Sequence, residues 1–229
     1  MTTDHPLRLG IIGSSGGSAL AAASHCLANA GKKIQWVVIT DRPCGIEDWA
    51  KVNGHEVHRL DYLNAENFSE RAYAFFCSTG CEDVLLFYTR RVASPLIDRL
   101  RVWNLHPSLL PAFRGLHGVQ DAITAGVRIF GATLHRVDAG LDTGQIVAQV
   151  CSPLPEHLSL VEAEHVSYLQ KVWLSLVWFE QLTAPHGKQE AYRYDPAVVA
   201  ACPGLADESL RASYAEWLVR EEGSKVKRR

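Results

Sequence analysis

No run of apolar residues in this 229-residue chain approaches the roughly 20 that a membrane-spanning helix needs. The N-terminus, Met1-Thr-Thr-Asp-His-Pro6, lacks the charged-then-apolar layout of a secretory signal. A soluble, cytoplasmic protein that avoids membranes is the expectation. The formal net charge is only −2, so there is no whole-chain pull toward nucleic acid. The terminal Lys225-Val-Lys227-Arg228-Arg229 is a short basic run and reads as a solvated tail. Six cysteines are scattered, and only Cys77 and Cys81 lie close together. No His or Cys pair nearby completes a zinc pattern, so no metal is expected, and reduced thiols are the better reading. Internal repeats and low-complexity tracts are also missing. Apolar content of 47% and charged content of 21% are those of an ordinary globular protein.

What is present is an alternation of short apolar runs with helical patterns. Leu7–Ile12 is a run with little alternation, as in a strand buried on both faces. It ends in Gly13-Ser14-Ser15-Gly16-Gly17-Ser18 and passes into the strong helix formers from Ala19 to Ala23. Strands follow at 34–40, 56–60, 84–88 and 102–104, with helices at 46–53, 65–78 and 95–100. Repeated β-then-α units predict a doubly wound, Rossmann-like α/β fold with a mostly parallel sheet. A helix at 118–125 and two near-alternating strands, 129–137 and 145–151, suggest an antiparallel C-terminal extension of that sheet. Residues 159–181 have the spacing of a long helix packed along one side. Its Trp173, Trp178 and Phe179 could line a core or a homodimer surface. Beyond Pro185 the chain becomes irregular, with a strand expected at 191–194 and a helix near 207–222. The expected organisation is one domain over residues 1–185, with a Rossmann-like half at 7–100 and a catalytic half at 101–185. Residues 186–229 are an added C-terminal extension.

Two constellations carry chemistry. The Gly/Ser turn places backbone N–H groups and hydroxyls at a helix start, which suits an anion. Its spacing, Gly10-x-x-Gly13-x-x-Gly16-Gly17, favours a single phosphate over a dinucleotide. An NAD-linked oxidoreductase using Asp41 as its ribose ligand is the distant alternative. The second constellation is Asn104-x-His106-Pro107, followed further on by Gly140-Leu-Asp142-Thr-Gly144. A His at the C-terminal edge of an α/β sheet can serve as general acid or base. An Asn two residues earlier projects to the same side of an extended chain. By spacing alone each residue also has a structural reading: a satisfied core His, or turn chemistry for Asp142.

The string Asn104-x-His-Pro-Ser-Leu-Leu-Pro111, then Gly115-Leu-His117, then the Gly-Leu-Asp-Thr-Gly loop, resembles the folate-dependent formyltransferase family. The likeness covers roughly residues 7–182 and is most specific over 103–146. It implies the formyltransferase fold and transfer of a formyl group from 10-formyltetrahydrofolate, a co-substrate, to a primary amine through a tetrahedral intermediate. Asn104, His106 and Asp142 match the family's catalytic set. Tyr88, Thr89, Arg90, Arg91 and Val92 match the stretch whose backbone holds the pterin. Asp138, Ala139, Gly140 and Leu141 match the loop that closes over it. Ser14, Ser15, Gly16, Gly17 and Ser18 match the loop that grips an acceptor phosphate. Pro107, His117 and Gln170 complete the implied acceptor contacts.

The resemblance is strongest to the family's glycinamide-ribonucleotide branch, which implies a phosphorylated small-molecule amine as acceptor and a place in purine biosynthesis. It departs from that branch at Gly16 and Ala19, where Asn is usual. Gln170 and Lys171 stand where that branch places a Glu-His pair, and its folate-contacting Arg near Glu66 is missing. An amino sugar nucleotide or another specialised amine is the alternative acceptor. The chain is too short for the tRNA-binding barrel of the tRNA branch, so nucleic acid is not an expected partner.

Overall fold

The computed structural model describes residues 6–183, 193–195 and 198–226, which divide into two compact units. The first comprises residues up to Ala21, then Lys33–Leu105 and His135–Gln145. The second comprises Ala22–Lys32, His106–Leu134 and the chain from Ile146 onward.

In the first unit, strands β1 (Leu7–Gly13), β2 (Ile34–Thr40), β3 (Glu56–Arg59), β4 (Asp83–Phe87) and β5 (Arg101–His106) lie in the order β3-β2-β1-β4-β5. The pairs β1–β2, β1–β4, β2–β3 and β4–β5 are parallel. Parallel strands need crossovers, supplied by helices α1 (Ser18–Asn29, whose residues from Ala22 on belong to the second unit), α2 (Gly45–Val52), α3 (Ala65–Thr79) and the short α4 (Leu96–Arg99). Local chemistry fixes the ends of α3. The Asn64 side chain accepts from the N–H of Asn67 at 2.8 Å, and Gly80 ends the helix in the left-handed region at φ 72°. Phe68, Ala72 and Phe76 of α3 then pack into a core with Ile12, Val37, Ile39, Leu86 and Val102. Each such large side chain contributes about 1.5–3 kcal/mol by leaving water. Register aligns Gly13 with both Thr40 and Phe87, and Leu86 with Asn104. The Gly/Ser turn, the segment after Phe87 and Asn104 therefore all lie at the C-terminal end of the sheet, where open α/β folds gather ligands.

In the second unit, β6 (Ile129–Arg136, whose last residues belong to the first unit), β7 (Ile146–Pro153), β8 (Arg193–Asp195) and β9 (Val198–Cys202) follow the order β6-β7-β9-β8. The β7–β9 and β8–β9 pairs are antiparallel. Strand β9, which composition alone left as irregular chain, is a Val/Ala/Cys run between Pro196 and Pro203. The strand expected at 191–194 lies partly outside the described residues, and so does the basic run 225–229, whose first two residues are helical.

Helices α5 (Gly118–Thr124), α6 (Leu160–Thr183) and α7 (Glu208–Val226) complete this unit. Helix α6 starts with a capping box: Glu162 N–H donates to Ser159 Oγ, and Ser159 N–H donates back to Glu162 Oε2. The sequence pattern predicts a helix packed along one side. Instead every residue from Val172 to Phe179 is buried, as expected for a helix that is apolar all round. The reason is α7, which covers it: the Tyr214 hydroxyl donates to the Leu169 carbonyl, and its ring meets Trp173 edge-on at 5.0 Å. Trp173, Trp178 and Phe179 are thus core residues of the chain itself. Among the described residues no helix is long and apolar enough to cross a membrane.

Candidate active site

The first unit brings Asn104 and Asp142 to one histidine, His135. Asn104 sits near the end of β5, within the strand rather than after it. Its Nδ2 lies 3.1 Å from His135 Nε2, and Asp142 Oδ1 lies 3.7 Å from the same nitrogen. His135 Nδ1 faces the Arg136 carbonyl at 2.8 Å. A carbonyl can only accept, so Nδ1 carries a hydrogen, and in the neutral ring Nε2 accepts from the Asn104 amide. His135 is 2% exposed and the Asp142 side chain 11%.

The loop that presents Asp142 is set by its own side chains. Asp138 Oδ1 accepts from the Gly140 N–H and the Thr143 hydroxyl, an Asx-type turn. Asp142 itself is left-handed at φ 51°, a conformation Asp tolerates better than most residues. A Cβ on Gly144 would stand 1.8 Å from the Arg136 carbonyl, so only glycine lets the chain return this closely to the strand. Leu141 is 64% exposed and presents an apolar surface on this loop.

His106 belongs to the second unit and is also buried. Its Nε2 lies 2.8 Å from the Phe113 carbonyl, which assigns the hydrogen to Nε2 and leaves Nδ1 as the accepting nitrogen of the neutral ring. The turn that returns Phe113 to His106 hangs on Thr133. The Thr133 hydroxyl donates to the Ser108 carbonyl and accepts from the Leu110 N–H and Gln149 Nε2. Gln149 also donates to the Leu110 carbonyl. Every hydrogen-bonding position of that hydroxyl is used, and the ring of His106 is held accordingly.

The segment Tyr88–Val92 follows β4, and its neighbours fix it. The Tyr62 hydroxyl donates to the Arg91 carbonyl, Val92 is buried in the core, and Tyr88 stacks on Phe68 at 5.3 Å. The Arg90 guanidinium lies 4.7 Å from the Tyr62 ring centre and pairs with Asp41. Burial first, and then Asp41, push the Tyr88 hydroxyl well above its ordinary pKa. Asp41 is engaged by both Arg42 and Arg90, and its side chain is 0% exposed. That removes the ribose ligand the dinucleotide reading requires.

In the Gly/Ser turn, Ser15, Gly16 and Ser18 are exposed. Ser14 N–H donates to the Phe87 carbonyl, and the Ser15 carbonyl accepts from Ile46 N–H. Gly17 has φ 76°, and a Cβ there would meet Ile46 at 2.5 Å, whereas a Cβ on Gly16 meets nothing within 4 Å.

Pro107 and His117 line a cavity of about 410 Å³ in the second unit, together with Glu164, Ser167 and Lys171 of α6. Gln170, expected at the acceptor, is not among its lining residues. It is wholly buried, and its Nε2 donates to the Ser152 hydroxyl of β7. One residue of helical rotation separates it from Lys171, and sequence matching alone does not resolve that rotation. His135 was likewise not singled out from the sequence, although it is the one imidazole in the strand 129–136.

Comparison with known proteins identifies the family. Over 55 residues the chain is 60% identical to phosphoribosylglycinamide formyltransferase of Mycobacterium tuberculosis, covering 24% of this chain and 25% of that one. Over 89 residues it is 40% identical to the Bacillus subtilis protein of the same name, covering 38% and 46%. The matched stretches thus span a quarter to just under half the length of these curated relatives. The crystal structure of glycinamide ribonucleotide transformylase 1 from Symbiobacterium toebii superposes with a TM-score of 0.71 at 26% identity, covering 86% of this chain and 95% of that one. Phosphoribosylglycinamide formyltransferase from Bacillus halodurans gives 0.64 at 30% identity, covering 78% and 100%. The sequence model described as formyl transferase matches residues 12–167, well over half of the chain, and the protein belongs to that family.

Proposed function

We propose that this chain transfers a formyl group from 10-formyltetrahydrofolate to the primary amine of a small phosphorylated acceptor, with glycinamide ribonucleotide as first choice and purine biosynthesis as its setting. Relatives named for that reaction support it, and so does the absence of an available ribose ligand at Asp41. The observation that carries the proposal is the placement of both Asn104 and Asp142 close to His135 Nε2, at 3.1 and 3.7 Å.

The residues divide the work as follows. An amide nitrogen has two hydrogens. His135 takes one from Asn104 Nδ2 and so orients the other toward the formyl oxygen, where negative charge builds during attack. His106 Nδ1 takes the proton that the amine must lose, and that proton passes, through water, to the departing nitrogen. Asp142 stabilises the imidazolium charge that appears meanwhile. The folate supplies the formyl group. The residues present fit it: the pinned backbone of Tyr88, Thr89, Arg90, Arg91 and Val92 offers peptide edges, and the loop Asp138–Leu141 offers the exposed Leu141 to a flat ring. Ser14–Ser18 hold the acceptor phosphate, and Pro107 and His117 its remainder. Residues 1–185 carry the reaction, 186–229 form an extension, and the protein works in the cytoplasm.

The specialised-amine reading keeps one favourable observation, the presence of Lys171 in the cavity wall. The test is a panel: the full chain with 10-formyltetrahydrofolate and either glycinamide ribonucleotide or amino sugar nucleotides, with products identified by mass spectrometry. Formylation of the ribonucleotide at the highest kcat/KM supports the first choice. Preference for a sugar nucleotide overturns it.

A further inference from the structure

Leu160, Glu164, Ser167 and Lys171 fall at intervals of four, three and four residues along α6, so they form one stripe, and all four line the 410 Å³ cavity. Such a stripe on a packed helix is ordinarily apolar. Here it is polar where it is deepest. Ser167 is 2% exposed, and its hydroxyl has no hydrogen-bond partner. Lys171 is half-buried and makes no ion pair among the described residues. Burial holds its ammonium below the ordinary pKa, and the charged group that opposes this is the exposed Glu164. A half-buried ammonium without an ion-pair partner and an unpaired hydroxyl both cost stability in a folded chain, and a ligand that satisfies both removes that cost.

We propose that this cavity is a binding site for a compact oxyanion, carboxylate or phosphate, held between Lys171 Nζ and Ser167 Oγ. The Lys171 ammonium only donates and the Ser167 hydroxyl can donate beside it, which suits a negatively charged acceptor of hydrogen bonds. Pro107, the neighbour of His106 in the chain, forms another part of the wall. The anion is therefore either a second charged group on the formyl acceptor, a source that rests on the proposed formyl transfer, or a separate small molecule.

The test titrates inorganic phosphate into the full chain by calorimetry, comparing wild type with Lys171→Met, Lys171→Arg and Ser167→Ala, each checked for folding by circular dichroism. Wild type and Lys171→Arg bind phosphate; Ser167→Ala weakens binding about tenfold and Lys171→Met by more than that. Absence of binding in wild type, or equal binding in folded Lys171→Met, overturns the site. If an amine acceptor that bears an anionic group besides its phosphate displaces the Lys171-dependent phosphate, and Lys171→Met raises its KM with kcat unchanged, the acceptor brings the anion. If phosphate and that acceptor bind together, a separate anion occupies the site. Failure of the formyl-transfer reading shows separately, as a wild type that forms no formylated product whatever the phosphate titration gives.

Discussion

Asn104 Nδ2 and His135 Nε2 stand 3.1 Å apart in the first unit, and the hydrogen on the far side of the His135 ring is committed to the Arg136 carbonyl. The Asn104 amide is therefore aimed by a histidine whose tautomer the backbone fixes. His135→Ala removes that aim while leaving the Asn104 side chain in place. Turnover falls roughly a hundredfold or more, the scale of losing a positioned oxyanion donor or proton-transfer group. The chain still folds, as near-ultraviolet circular dichroism will show. Turnover near wild type in His135→Ala would assign this histidine to packing alone.

Asp142 separates charge from backbone shape. Its φ of 51° is one that Asn also adopts readily, whereas Ala does so at a cost of about 1 kcal/mol. Asp142→Asn is expected to keep thermal stability and lose formyl transfer, because the carboxylate that balances an imidazolium is gone. Asp142→Ala loses both, with a lower melting temperature. Equal stability of the two variants would contradict the role given to the turn.

The two adjacent glycines of the Gly/Ser turn differ in what they tolerate. Gly16→Asn restores the residue usual in the ribonucleotide branch, and the space for it is open, so stability changes by less than about 0.5 kcal/mol. Gly17→Ala meets Ile46 at 2.5 Å in a left-handed backbone and costs about 2 kcal/mol or more. Urea denaturation of both variants checks the contrast.

These positions also show how far the sequence could be read. The parallel β–α alternation was legible because strands buried on both faces are continuous apolar runs, and Leu7–Gly13 and Ile34–Thr40 are clear examples. Asn104, His106 and Asp142 were legible because they sit in a specific string. His135 was not, since an isolated histidine inside a strand has no periodic signature. Nor was the all-round burial of α6, which depends on α7, a helix that begins at Glu208, well beyond the end of α6 at Thr183. The orientation of Gln170 toward Ser152 was hidden for a similar reason: a neighbouring strand decides which side of the helix faces the core.

Glu47 predicts a pH dependence of stability. Its buried carboxylate accepts from Arg59 Nε at 3.0 Å and the Thr40 hydroxyl at 2.9 Å, with Lys51 as a further partner. The Arg59 hydrogen bond is the largest cause, opposed by burial, of a pKa lowered from the ordinary 4.5 to about 2. A lowered folded-state pKa means the stabilisation is complete above about pH 4.5 and is lost as pH falls toward 2. Glu47→Gln should lower stability at neutral pH by roughly 1–3 kcal/mol and flatten the acid limb of the curve. An unchanged acid limb in thermal melts across that window would contradict the assignment.

Formyl transfer itself is tested most directly by a single comparison. Wild type and His106→Ala are each mixed with 10-formyltetrahydrofolate and glycinamide ribonucleotide, and the ribonucleotide is analysed by mass spectrometry. The expected result is an acceptor heavier by one formyl group with wild type, and a rate lower by at least about a hundredfold with folded His106→Ala. An unmodified acceptor with folded wild-type protein, or equal rates in the two proteins, would contradict the account.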